Sequence, residues 1–257
     1  MNDPIPPRDA RWAGRNVDKD ALRAEIWGLL EEREVAVGSP WSHIPNFVGA
    51  EEAAARLAEL PIWTAARVVK CNPDRAQAPV RRRALEDGKL LYMPIPALVQ
   101  ALPFVLLDPA DLSARGISFA EASEHTQAID LGRKVGFEEM QPIDLVVTGC
   151  VAVTRSGGRT GKGAGFADIE LGIMREFGLI KPETPIVTTV HPLQIVPDDR
   201  VVMLPHDSAL HWIITPDEVI ETQTPYPQPR GIDWEAVQPD QYRDIPFLNT
   251  LRDRLKS

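Results

Sequence analysis

Cysteine is nearly missing from this chain. There are two, Cys71 and Cys150, far apart and each in apolar surroundings. That excludes a disulfide framework and predicts buried thiols in a reducing compartment. Positive charge is also short. The net charge is −9 and the one cationic run is Arg81-Arg82-Arg83. A phosphate backbone needs clustered Lys and Arg, so no nucleic-acid partner is expected. Three arginines in a row point in three directions on a helix, which reads as a solvated helix face. No stretch of 18 apolar residues exists, so no membrane span is expected. The opening MNDPIPPRDARW has no apolar core of a secretory signal, and a cytoplasmic protein is expected. The five histidines, His43, His125, His191, His206 and His211, form no zinc-type cluster. No internal repeat or low-complexity block is present.

What is there suits one large α/β domain: 257 residues, 44% apolar and 25% charged. Proline is plentiful at 24, concentrated in the N-terminal arm and in TQTPYPQPRG, which are expected to run extended over the surface. The expected organisation is an irregular arm over 1–16, a single domain over 17–234 and an extension over 235–257. DKDALRAEIWGLLEERE reads as a helix capped by Asp18, with Leu22, Ile26, Leu29 and Leu30 on one stripe. Lys19 and Arg23, spaced i, i+4, share another face. EEAAARLAEL reads as a second helix. RVVKC (67–71), APVRRRALEDG and KLLYMPI read as strand, helix and strand, with Pro79 in the first helical turn and Gly88 at the helix end. Ser118 to Glu121 form a capping box. IDLVVTGCVAV (143–153) reads as one continuous strand covered on both faces. ADIELGIMREFG is a helix ending at Gly178, and PIVTTV, RVVML and HWIIT are further strands. The alternation gives an α/β fold with a mainly parallel sheet flanked by helices on both faces. Trp27 and Trp63 are expected in the core, and Cys150 as a structural thiol.

Between the 143–153 strand and the following helix lies GGRTGKGAGFAD, Gly157 to Asp168. Open α/β sheets bind ligands at such strand ends. Glycines let backbone N–H groups approach an anion, and Arg159 and Lys162 can add charge-assisted hydrogen bonds. The stretch is no P-loop, because Ser156 stands where Gly is needed and Gly163 where Ser or Thr is needed. It is no dinucleotide fingerprint either, because Asp168 stands at the third glycine. Local composition leaves an anion cradle and a ligand-free connection both open.

The stretch resembles the signature of the 5-formyltetrahydrofolate cyclo-ligase family, in which an Asp-Leu strand and a Gly-Val-Ala segment precede Gly-x-Arg-x-Gly-x-Gly-x-Gly-Tyr-Tyr-Asp. Here Asp144 to Val153 is followed by Gly157 to Asp168. Further pieces arrive in the family's order: Lys19, Leu22 and Arg23; Asp74 ahead of Gly88-Lys89; Gln194; and Pro197 ahead of His206-Asp207. The resemblance runs from about Lys19 to Trp234.

It implies a Rossmann-like fold and Mg-ATP-dependent closure of 5-formyltetrahydrofolate to 5,10-methenyltetrahydrofolate. An amide oxygen leaves poorly until phosphorylated, and cations must neutralise the transferred group. By positional match the resemblance implies that Lys19 and Arg23 grip ATP. Arg159, Gly161, Lys162, Gly163, Ala164, Gly165 and Phe166 wrap the triphosphate, with Arg159 and Lys162 catalytic. Asp168 and Asp207 hold Mg²⁺, and Asp74 meets the folate.

Four departures stand out: Phe166-Ala167 replaces Tyr-Tyr, Thr154 replaces an acidic residue, Asp74 replaces Glu, and the loop lysine is at position 162 rather than 164. A shift of two residues moves that lysine about 7 Å along an extended chain. With AEIWGLLEE, HIPNFVGAEEAA and TPIVTTVHPLQIV, these departures resemble a divergent paralogous branch. That resemblance implies loss of the cyclo-ligase reaction and a link to thiamine metabolism, with a nucleotide or phosphorylated metabolite as ligand. A non-catalytic binding protein is the third class, which the retained Asp168 and Asp207 oppose.

Overall fold

The computed structural model describes residues 14–95 and 102–256. Most of the proline-rich N-terminal arm and the segment 96–101 therefore lie outside the described residues.

Short, mostly apolar runs set the frame. β1 (Val68–Cys71) and β2 (Leu90–Pro94) flank α4 (Ala78–Glu86) and pair in parallel, Val69 opposite Leu91. β5 (Leu145–Val147) and β8 (Ile186–Thr189) extend the parallel region on the other side, followed by β10 (Trp212–Ile214). β3 (Phe104–Leu107), β4 (Arg133–Val135) and β11 (Val219–Glu221) add antiparallel edges. The eight-stranded order is β11-β10-β8-β5-β1-β2-β3-β4. A three-stranded sheet, β7-β6-β9, stands beside it, built from β6 (Ala152–Thr154), β7 (Arg159–Thr160) and β9 (Ile195–Val196).

The sheet is covered on both faces, as the apolar strands predict. Val69 and Cys71 of β1, with Leu145 and Val147 of β5, enter one core. It is filled by α1 (Val17–Glu32), α2 (Ala50–Ala58), α3 (Pro61–Ala65) and α4, with α5 (Pro109–Ala114), α6 (Phe119–Ser123) and α7 (His125–Leu131) at its edge. The alternate residues Val68 and Val146 enter a second core against α8 (Phe166–Glu176) and α10 (Phe247–Lys256), which follows α9 (Pro239–Asp244). Side chains alternate along a strand, so Lys70 falls on the α8 side. Trp27 and Trp63 are buried, and both thiols are buried and free. Burial pushes the Cys71 thiol up to about 11 and raises Cys150 as well, against the pull of nearby cations, so both stay protonated and inert.

Four expectations are corrected. Asn16, not Asp18, caps α1: its side chain accepts from the Lys19 N–H at 2.9 Å. The 143–153 run is not one strand. It breaks at Thr148 to Val151 and passes from the large sheet to the small one; at Gly149 the chain runs so close to its neighbours that a Cβ would sit 2.9 Å from Ile44 and 3.0 Å from Gln77. RVVML is not a strand either; Asp198–Arg200 forms a single 3₁₀ turn and the chain then runs irregularly to Asp207. The arginine run is not uniformly solvated. Arg82 and Arg83 make surface ion pairs, but Arg81 is fully buried. Arg81 donates from Nε to the Ser123 carbonyl (2.7 Å) and from Nη1 to the carbonyls of Asn72 (2.5 Å) and Asp74 (3.0 Å). It thereby fixes the turn that follows β1.

The segment expected as an extension past 234 folds as α9 and α10. Ile245 and Leu248 are fully buried in the second core.

His211 gives this packing a pH dependence. Its Nδ1 accepts the Ile186 N–H at 3.0 Å, joining β10 to β8. Burial, aided by the charge of Arg175, holds its imidazole below the ordinary value. The unfolded chain therefore takes up the proton first. Stability is whole above about pH 6.5 and falls as the pH drops toward the folded-state value. The melting temperature should decline from pH 7.5 to 5, and His211→Asn, which keeps an acceptor for Ile186, should flatten that slope. An unaltered slope in the variant would place the titration elsewhere.

Candidate functional site

The carboxyl end of β1, the end of β2, the glycine loop and the N-termini of α1 and α8 enclose a cavity of about 860 Å³. Its position beyond the carboxyl ends of parallel strands is where ligands enter such sheets. Every residue expected at the site lines it: Lys19, Arg23, Asp74, Arg159, Gly161 to Phe166, Asp168 and Asp207.

The loop is held open from behind. Arg23 is buried and donates to the Gly161 carbonyl (2.6 Å), to Thr160 Oγ1 (3.1 Å) and to Asp20 (2.5 Å). Burial lowers the Arg23 pKa, and Asp20 opposes this. Arg15 donates to the Ala164 carbonyl and pairs with Asp240, and Gln241 Nε2 reaches the same carbonyl at 2.8 Å. Gly165 starts α8 with φ +74, a conformation that disfavours side chains, and a Cβ there would sit 2.7 Å from Gln241 Nε2. A Cβ at Gly161, by contrast, meets nothing within 4 Å. The loop thus borders open cavity at Gly161 and is packed at Gly165. Gly161→Leu should leave the melting temperature of the free protein nearly unchanged, because the added side chain enters the open cavity. A clear fall in the melting temperature would show that the position is packed.

Asp168 and Asp207 are brought together. The Ser208 N–H, one residue past Asp207, donates to Asp168 Oδ1 at 2.9 Å. Both acids meet cations. Lys19 Nζ is 2.5 Å from Asp207 Oδ2, which also accepts the Leu204 N–H at 2.8 Å. Arg159 pairs with Asp168 Oδ1 and donates from Nε to the Ser208 carbonyl at 2.7 Å. Burial presses the Arg159 guanidinium down, but the carboxylates of Asp168 and Asp207 more than reverse this, and it stays firmly charged. His206 Nε2 stands 3.8 Å from Asp207 Oδ1, too far for a hydrogen bond. Among the described residues no hydrogen bond engages Asp168 Oδ2 or Asp207 Oδ1. Two such oxygens fit Mg²⁺, which takes one or two carboxylates and completes its shell with water and phosphate. Among the described residues no group of three or more His, Cys, Asp or Glu side chains is placed to hold a metal, in this cavity or elsewhere.

Across the cavity, Lys162 Nζ pairs with Asp74 at 3.0 Å. The displaced lysine therefore faces the turn after β1. Four participants escaped the sequence reading. Arg15 and Gln241 sit in segments read as peripheral. Lys70 and Glu170 form an ion pair at the cavity wall, 0% and 5% exposed at their side chains. A lysine inside VVKC and a glutamate inside DIELG were the available signals, since charges at buried positions need partners.

A profile of the 5-formyltetrahydrofolate cyclo-ligase family matches residues 15–216. The chain belongs to the 5-formyltetrahydrofolate cyclo-ligase family. Among curated relatives, the methenyltetrahydrofolate synthase domain-containing protein of Mus musculus is 36% identical over 242 residues, covering 93% of this chain and 64% of the relative. The Homo sapiens protein of the same name is 33% identical over 240 residues, covering 93% and 62%. The chain thus spans less than two thirds of the relatives it matches. Among solved structures, Aquifex aeolicus 5,10-methenyltetrahydrofolate synthetase matches with a TM-score of 0.47 at 18% identity, over 80% of this chain and 93% of that one. No helix among the described residues is long and apolar enough to cross a membrane.

Proposed function

We propose that the chain binds Mg-ATP in the glycine cradle and uses it to close 5-formyltetrahydrofolate to 5,10-methenyltetrahydrofolate. The observation that carries this reading is the convergence of the open cradle, Lys19, Arg159 and the Asp168–Asp207 pair in one cavity at the sheet's carboxyl edge. Bound Mg-ATP would supply the phosphoryl group that makes an amide oxygen a leaving group. The chain's own residues do the positioning. The loop N–H groups and the start of α8 meet phosphate charge. Lys19 has three donors and can hold Asp207 and a phosphate oxygen together. Arg159 orients Asp168, and Arg23 braces the loop. Asp168 and Asp207 would hold the metal, and Asp74, with Lys162, would border the folate.

A second reading has its own support. Lys162 is committed to Asp74, and Phe166-Ala167 supplies no phenol to the cavity. These features suit a divergent enzyme that keeps the phosphate half and takes another metabolite. Mixing protein, Mg-ATP and 5-formyltetrahydrofolate while following the methenyl chromophore and ADP separates the two. Product together with ADP supports the first. Nucleotide-induced thermal stabilisation without product supports the second. Neither signal removes both.

A further inference from the structure

The wall of the cavity contains a polar chain that neither the glycine cradle nor the acid pair uses. Glu170 of α8 pairs with Lys70 of β1, and Lys70 Nζ donates to Asn72 Oδ1 at 2.5 Å. Asn72 Nδ2 has one long contact, 3.5 Å to Thr148 Oγ1. Both backbone groups of Asn72 are fixed as well: its N–H donates to Val147 O at 3.1 Å, and its carbonyl accepts from Arg81. Lys70 is fully buried, and Glu170 and Asn72 nearly so. Glu170 and Asn72 line the cavity.

Two physical points follow. An ammonium only donates, so Lys70 forces the oxygen of Asn72 toward itself and turns the NH₂ the other way. Removing a buried ion pair from water is expensive, and an apolar pair of similar volume often serves stability as well or better. The arrangement is therefore better explained by what it holds than by what it stabilises. The Asn72 amide has two N–H groups, of which Thr148 can take one.

We infer that Asn72 is a specificity-determining residue, pinned by the Glu170–Lys70 pair so that one amide N–H is offered to an acceptor oxygen of the second substrate. This rests on the cyclo-ligase reading above and narrows it. The group recognised is a carbonyl-type oxygen, as in a formamide or lactam, and not an N–H donor. Lys70 and Glu170 are positioning residues acting through Asn72.

The test uses Asn72→Asp and the charge-relocated double variant Asn72→Asp/Glu170→Gln. In the double variant Lys70 keeps one carboxylate partner, so the fold is supported even if the single variant is weakened. Mg-ATP-induced thermal stabilisation should match wild type in both. The KM for 5-formyltetrahydrofolate should rise about 10–100-fold, because an acceptor now faces an acceptor. A purely structural Asn72 would lower both responses in step, which overturns the inference. Unchanged KM in either folded variant also overturns it while leaving the cyclo-ligase reading intact. Absence of folate turnover in the wild type overturns that reading, and the inference falls with it.

Discussion

Lys70→Met alone should destabilise the protein by about 3–5 kcal/mol, because it leaves Glu170 charged or forces it to hold a proton at a buried position on the cavity wall. Burial already raises the Glu170 carboxyl above its ordinary range against the pull of Lys70. Removing the cation leaves only the burial penalty, with Asp74 and Asp168 adding repulsion. Lys70→Met/Glu170→Leu should recover most of that loss, since an apolar pair of similar volume then takes the place of the buried ion pair. Chemical denaturation of the wild type, both single variants and the double variant closes the cycle. Additive losses, with the double variant the worst of the four, would show that the two charges do not act as a unit.

On the proposed cyclo-ligase function, Asp168→Asn should reduce Mg-ATP-dependent turnover by about 10²–10³-fold, because the ion that neutralises the transferred phosphoryl group is then less well held. The amide keeps an acceptor for Arg159 and for the Ser208 N–H, so the loop that carries Asp207 and Ser208 stays in place, but the buried Arg159 loses its carboxylate partner and the melting temperature should fall. What is lost is the negative charge that would hold the metal. Raising Mg²⁺ should therefore restore part of the rate. A deficit indifferent to Mg²⁺, or no deficit, would remove Asp168 from that role.

Much of this architecture could be read from the chain before the structure. β1, α4 and β2 are local: Val68 and Val69 are apolar and β-branched, Pro79 opens the helix, and Gly88 follows its end at φ +73. The glycine segment was legible because cations, glycines and an acid at fixed spacing serve few purposes at a strand–helix junction. The split of 143–153 was not, because apolar continuity reports burial and not which sheet does the burying. Arg81 failed for a related reason. Its sequence neighbours are surface arginines, and only tertiary structure brings the Ser123, Asn72 and Asp74 carbonyls to one point. The same holds for Arg15 and Gln241, which reach Ala164 from opposite ends of the chain.

That last contact separates two kinds of boundary. The family profile stops at residue 216, yet Gln241 props the glycine loop and Ile245 and Leu248 seal the core beneath it. Expressing only the profile-matched portion would strip away one wall of the ligand cavity and bare the apolar flank of α8. The smallest autonomous unit is consequently longer than the stretch that shared ancestry picks out.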